Sequence, residues 1–491
     1  MIDLSLAEIA AATGGTLHGG DPAERVTGTV EFDSRKIIPG SLFVAFVGEK
    51  VDGHDFGATA MAAGATGALG QRPIDGVPTI VVDEPLAALA RLARYVVDRL
   101  PDVTIVGLTG SSGKTTTKDF IAQLLERLGP TVAPAGSFNN ELGHPYTVLK
   151  ADPRTRWLVL ELGARGAGHI TYLTEIAPPR IAAVLNVGVA HIGEFGSVDA
   201  IAAAKGELVE ALPADGVAIL NADDPRVRAM AGRTRARVVL AGEAADADVR
   251  AEDVTLDDRG RASYTLVTGD GRAPVRLAIT GAHQVSNTVI AAAVALIAGM
   301  PLADVASALS DLRLVSTRRM DVFDRADGVT VIDDSYNANP ASTAAALHAL
   351  VAIGAGRRRI AVLGYLAELG AHERAGHEEV GALAAALGVD RLIVVGEPAE
   401  PIHQGAQSVS GWRGTSVAVP DQDRAIELLR TEVRAGDVVL VKGSRYRTWE
   451  VADALRAGAG GAGSAGSSSP AGGAGSAGSS SPAVNGSVVA S

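Results

Sequence analysis

Residues 103–117 read VTIVGLTGSSGKTTT. The first seven form an apolar, β-branched run of strand length, and a helical pattern begins directly after Gly113. A strand that passes through a glycine-rich turn into a helix aims backbone N–H groups and a helix N-terminus at one point. Glycines let an anion approach that point closely. Lys114 can reach terminal phosphates, and the Thr115 hydroxyl can ligate Mg²⁺. The strict spacing G-x-x-x-x-G-K-[ST] is missed by one residue, because Leu108 stands where its first glycine belongs and Gly107 comes one place too early. A plain Gly/Ser turn before a helix explains the glycines and serines, but not the lysine, the threonines and the strand before them. Nucleotide binding is the reading that accounts for all of them.

Working outward, apolar runs of five to eight residues alternate with helical patterns: 157–162, 181–187 and 217–221, then 329–333, 360–364, 392–396 and 438–441. Strand–helix alternation predicts parallel sheets with helices on both faces, hence an α/β protein. Residues 238–279 carry more strand and turn signals and predict an antiparallel extension. Residues 1–100 mix short strand-like runs (41–46, 79–82) with alanine-rich helical stretches. The alanine-rich stretch 288–300 reads as a buried helix. Three domains are expected: a smaller mixed α/β unit (1–100), a central P-loop NTPase-like unit with a mostly parallel sheet (101–315) and a C-terminal Rossmann-like unit (316–456). In the remaining 457–491, GGAGSAGSSSPA occurs twice in tandem. Such a segment has little to bury and is expected to be a disordered tail.

Composition narrows the chemistry. With 47% apolar and 20% charged residues, large cores can form. The absence of cysteine excludes disulfide scaffolds, thiolate metal sites and cysteine catalysis. The net charge is −12, and the longest basic run, Arg357–Arg359, precedes a predicted strand. Without a basic stripe to displace counterions, no nucleic-acid partner is expected. No membrane span and no signal peptide are predicted, so the expected location is cytoplasmic.

Glu161, at the end of the run 157–162, can meet Mg²⁺ or simply be a solvated strand-end carboxylate. His191 follows the run 181–187 and reads first as a structural hydrogen-bonder, while Lys205 lies on a predicted helix and reads first as a surface lysine. His372, Glu373 and His377 do not make a zinc helix: an i, i+5 spacing puts the histidines about 140° apart.

The segment 109–116, TGSSGKTT, closely resembles the ATP loop of the Mur ligases, amide-bond-forming enzymes of peptidoglycan precursor synthesis. Further motifs follow in the family's order over residues 1 to about 456: ELGARG (161–166), NVGVAH (186–191), AAAKGE (202–207), GAH (281–283) with Asn287, Arg319–Met320, and DDSYNANP (333–340). The resemblance implies ATP contacts from Thr109, Gly110, Ser111, Ser112, Gly113, Lys114, Thr115 and Thr116. It implies adenosine contacts from Asn287, Arg319 and Asp334. Two Mg²⁺ ions would sit on Thr115, Glu161, His191 and Lys205, the last carbamylated by CO₂ so that it offers an oxygen pair to a hard cation. Lys114, Lys205, His191, Asn337 and Asn339 would be the catalytic group.

DDSYNANP, SFNNELGHP (137–145) and KGSR (442–445) resemble the branch that adds D-alanyl-D-alanine to UDP-N-acetylmuramoyl-tripeptide, which are then the implied partners. Ser34, Arg35, Asn139, Asn140 and Arg165 are the implied substrate contacts, and a monomer is the implied state. Two residues depart from the pattern: Tyr365 replaces a usual acid, and Arg318 replaces a usual glycine before Arg319–Met320. Two alternatives remain at this point. One is a related ligase with another amine acceptor, such as the third-residue-adding enzyme or folylpolyglutamate synthase. The other is an ATP-binding regulator without turnover.

Overall fold

The computed structural model describes residues 1–188 and 192–457. Three sheets of five, nine and six strands, with a two-stranded ribbon beside the first, organise three α/β bodies in chain order. The first sheet runs Thr16–His18, Thr79–Val81, Gly67–Gly70, Leu42–Val44, Val30–Glu31, and only the Thr16–His18 edge is antiparallel.

The central sheet places Thr104–Thr109 between Trp157–Glu161 and Ile181–Val184, all parallel. From Ile181–Val184 it continues through Val217–Asn221 and Arg237–Gly242, still parallel, to Val249–Leu256. The expected antiparallel extension is the meander Val249–Leu256, Arg261–Thr268, Gly271–Thr280. Trp157–Glu161 and Ile181–Val184 are buried along their whole length, as parallel strands covered on both faces require. The chain leaves Thr104–Thr109 toward one neighbour and later returns to the other. The loop after it therefore opens at a topological switch point, where α/β sheets bind ligands.

Helix Lys114–Glu126 buries Phe120, Ile121, Leu124 and Leu125 under this sheet, beside helix Gln284–Ile297. Each such side chain contributes about 1.5–3 kcal/mol on burial. The buried helix expected at 288–300 begins earlier and stops at Ile297, where Gly299 takes a left-handed φ of 94°. The run 181–187 also ends early as a strand, at Val184: Ser111 donates its N–H to the Asn186 carbonyl (3.0 Å), turning that segment onto the phosphate loop.

The third sheet runs Asp321–Asp324, Thr330–Asp333, Val438–Lys442, Arg359–Leu363, Arg391–Val395, Thr415–Val419, with only the first strand antiparallel. The three bodies meet through specific groups. Tyr146 donates its hydroxyl to buried Glu31 (2.8 Å). Asp119 of the phosphate-loop helix accepts from Ser316 N and Oγ (3.2 and 2.6 Å). No helix of the described residues is long and apolar enough to cross a membrane.

Candidate active site

The loop after Thr104–Thr109 turns at Gly113, whose φ of 78° suits glycine. A Cβ there would lie 2.6 Å from the Asn287 Oδ1, so Asn287 abuts the loop. Helix Lys114–Glu126 has no side-chain cap, which leaves its first-turn N–H groups for an anion. The Lys114 Nζ donates back to the Gly110 carbonyl (2.8 Å). Ser111 and Ser112 both donate their backbone N–H to the Asn186 Oδ1 (3.0 and 2.9 Å), and the Asn186 Nδ2 donates to the Ser112 carbonyl (3.1 Å). Thr109 faces elsewhere: its hydroxyl donates to the Leu162 carbonyl (2.9 Å) inside the sheet. Thr116 is half-buried on the first helical turn. A cavity of about 210 Å³ lies over the loop, lined by Ser111, Ser112, Asn186, Gly188 and Asn339.

Glu161 and Lys205 come to the same place. Glu161 is 1% exposed; its Oε1 accepts from the Asn139 Nδ2 (2.6 Å), while its Oε2 is buried without a partner. Burial lowers the Lys114 pKa and Arg319 adds to that, while Glu161 and Glu368 oppose it. Lys205, on helix Val198–Glu210, is 3% exposed. Burial, and then the charge of Lys114, pushes it well below the ordinary lysine range. A buried amine of depressed pKa, a half-satisfied carboxylate and the Lys114 ammonium thus lie within electrostatic reach of one another. His191 lies outside the described residues.

From the third body, Arg319 reaches in. Its Nη2 donates to the Thr115 Oγ1 (3.4 Å), its guanidinium lies 4.1 Å from the Tyr336 ring, and its Nε is buried without a partner. Ser137 bridges Thr115 and Tyr336 (3.3 Å to each). Asp334 is paired with buried Lys442, and also accepts from the Met320 N–H (3.1 Å). Lys442 also donates to the Asn337 carbonyl (2.9 Å), leaving the exposed Asn337 side chain outward. The Asn339 Oδ1 accepts from the Ser342 N–H (2.9 Å), so this side chain caps helix Pro340–Ile353 while lining the cavity. Tyr365 donates its hydroxyl to the Glu373 carboxylate (2.8 Å), and burial with that contact pushes its pKa up to about 12.

Of the expected substrate contacts, Asn139 touches the metal candidate Glu161 directly. Asn140 caps a turn, accepting from the Gly143 N–H (2.9 Å). Arg165 is exposed on the loop after Glu161. Ser34 and Arg35 stand on a short helix of the first body, where Arg35 forks onto Asp33 (2.8 Å twice). Asn186 is the residue that motif reading missed. The run 186–191 drew notice for its histidine, yet the available signal was a polar residue leaving the strand next to the phosphate-loop strand. Among the described residues no three His, Cys, Asp or Glu side chains gather.

Three family models match the chain: "Mur ligase family, catalytic domain" over residues 26–99, "Mur ligase middle domain" over 108–295, and "Mur ligase, glutamate ligase domain" over 318–445. The UDP-N-acetylmuramoyl-tripeptide–D-alanyl-D-alanine ligase of Mycobacterium tuberculosis is 49% identical, across 93% of this chain and 98% of its own length. That of Escherichia coli is 35% identical across 92% and 97%. Among solved structures, MurF from Acinetobacter baumannii superposes with a TM-score of 0.83 at 32% identity, covering 92% of this chain and 99% of its own. MurF ligase from Thermotoga maritima in complex with ADP gives 0.76 at 29%, covering 88% and 98%.

Proposed function

The chain belongs to the Mur ligase family, and from that premise we propose that it joins D-alanyl-D-alanine to UDP-N-acetylmuramoyl-tripeptide with cleavage of ATP to ADP and phosphate. The observation that carries the reading is the convergence of Lys114, Glu161, Lys205 and Arg319 on the loop 110–113, in a chain 49% identical to a ligase of that name.

A carboxylate is a poor electrophile, so the tripeptide's terminal carboxylate must first be activated. Its oxygen attacks the γ-phosphorus, the bond to the β-phosphate oxygen breaks, and an acyl phosphate and ADP result. The dipeptide amine then adds to the acyl carbon, and phosphate leaves through a tetrahedral oxyanion as the amide forms. Lys114 and Arg319 sit where negative charge gathers between carboxylate and triphosphate, the role such cations have in phosphoryl transfer. Asn186 holds the Ser111 and Ser112 N–H groups in one orientation, and Asn139 orients Glu161.

The donor set fits Mg²⁺: the buried, unpartnered Glu161 Oε2 and the Thr115 hydroxyl are hard oxygens. Thr115, Glu161, His191 and carbamylated Lys205 would hold two ions, which when bound neutralise phosphate charge. Carbamylation needs a neutral amine to add CO₂ with loss of a proton, and the buried state of Lys205 favours that form. Native mass spectrometry should find one CO₂ on Lys205 and none in Lys205→Ala; an unmodified lysine in active enzyme would remove this step.

Asn287 and Asp334 are assigned to the adenosine end, Ser34, Arg35, Asn140 and Arg165 to the UDP-linked substrate, and Asn337 and Asn339 to the reacting carboxyl. Domain limits near residues 100, 315 and 456 complete the assignment, with one family match inside each interval. A cytoplasmic monomer is the proposed form, in keeping with a nucleotide-linked substrate.

The test is phosphate release with ATP, Mg²⁺, UDP-N-acetylmuramoyl-tripeptide and D-alanyl-D-alanine, each omitted in turn. Release should require all four. Turnover only with another amine would move the acceptor, and ATP binding without release would leave a regulator.

A further inference from the structure

Gly193 lies in the short helix Ile192–Phe195 of the central body, two residues after His191. Its φ is not left-handed, and alanine is the better helix former, so nothing in its own backbone calls for glycine. The atoms a side chain would meet all belong to the third body: a Cβ on Gly193 would lie 2.6 Å from the Gly370 N, 2.7 Å from its Cα and 3.0 Å from the Leu369 carbonyl carbon. The relation is mutual, since a Cβ on Gly370 would lie 2.5 Å from the Gly193 Cα. The Gly193 N–H also points at the Glu368 carbonyl, 3.5 Å away. Two backbones from different sheets therefore touch with no side chain between them.

We propose that Gly193 and Gly370 form a seat on which the C-terminal body docks against helix Ile192–Phe195, and that this seat positions the loop 364–370 over the proposed phosphate site. That loop carries Glu368, whose carboxylate lies 3.8 Å from Arg445 and is one of the charges felt by Lys114. Docking thus brings charges of the third body to the phosphate-binding lysine and fixes them against the segment that leads out of His191. Gly193 is a positioning residue that touches no substrate. Its effect on turnover rests on the ligase reading, whereas its effect on docking does not.

Gly193 is the clean position for a test. Gly370 has a φ of 53°, so a side chain there would add backbone strain to the collision. The chain has no cysteine, so two can be introduced as unique spin-label sites at exposed Asp199→Cys and Ala375→Cys, one on each side of the seat. In this labelled protein with ADP and UDP-N-acetylmuramoyl-tripeptide, the inter-label distance should be short and narrowly distributed. Adding Gly193→Ala should lengthen it by roughly several ångströms and broaden it, as expected of an impaired closure step. In the unlabelled enzyme Gly193→Ala should lower kcat by at least about tenfold while ADP affinity stays within about threefold, because closure rather than nucleotide binding is lost. The melting temperature of Gly193→Ala should not fall, which separates the effect from misfolding. An unchanged distance distribution in Gly193→Ala would overturn the seat, and so would wild-type kcat in that variant. If the parent protein itself shows no turnover, the ligase reading fails instead, and the distance measurement still decides the seat.

Discussion

Arg318 holds its backbone at a φ of 59°, in the left-handed region where a side chain costs about 1–2 kcal/mol. Sequence reading marks this residue as standing in place of a glycine, and the conformation supplies the reason for that glycine. The arginine is held by its Nη1 bond to the Trp449 carbonyl (3.2 Å) and its ion pair with Asp453 (3.1 Å). Arg318→Ala loses both contacts and keeps the strain, whereas Arg318→Gly loses both and releases it. Glycine should therefore be the milder substitution by about 0.5–1 kcal/mol in urea unfolding, the reverse of the usual order. An alanine variant more stable than the glycine variant would contradict this account. His144 poses a different problem: its ring is buried, and burial pushes its pKa down to about 4 against a weaker upward pull from the Leu173 backbone. The unfolded chain binds a proton there near pH 6.5 and the folded chain does not, so stability is full above that pH and falls as pH drops toward 4. The loss is up to about 1.4 kcal/mol per pH unit in that window. His144→Leu should flatten the profile between these limits, measured as urea midpoints at pH 7.5 and 5; parallel profiles for the two proteins would exclude His144 as the cause.

Among elements, the glycine-rich loop 110–113 is the most instructive, because two of its backbone donors, Ser111 and Ser112 N–H, are already occupied. The Asn186 Oδ1 accepts from two consecutive loop N–H groups, as a phosphate oxygen would. Asn186→Asp keeps that acceptor and the shape but adds a negative charge beside the proposed triphosphate site, and it forfeits the donor to the Ser112 carbonyl. ATP affinity by calorimetry should fall at least about tenfold in Asn186→Asp and clearly less in Asn186→Ala, since like charges meet in a partly desolvated site. Equal losses would mean that Asn186 acts only as a spacer. This loop was legible as a glycine-rich turn between strand and helix from lysine, threonine and glycine order, because those residues act through the local backbone. Its partner across the strand was not, since the pairing spans 74 residues of chain. The same division holds for Asn339, whose place before Pro340 is read from sequence while its helix-capping bond appears only in the fold.

At the scale of the whole molecule, Tyr146 and Glu31 lock the first body onto the second. Both are under a tenth exposed, and the neighbouring Phe32 and Phe138 rings lie 5.1 and 5.6 Å from the Tyr146 ring. Tyr146→Phe leaves the Glu31 carboxylate buried without its donor, a loss of about 1–3 kcal/mol. Removing both polar groups, as Tyr146→Phe with Glu31→Leu, should recover most of it in thermal unfolding, because the unmade bond is what destabilises. A double variant no better than the single would place the loss elsewhere.

The sequence by itself determined the strand and helix alternation, the phosphate loop and the substrate family, because periodicity and short motifs act over a few residues. Tertiary structure alone decided that Lys205 is buried within reach of the Lys114 charge, which lowers its pKa, that Asn139 holds Glu161, and that Gly193 meets Gly370. Burial and charge at a site are sums over groups from distant parts of the chain, and only folding brings those groups within reach of one another.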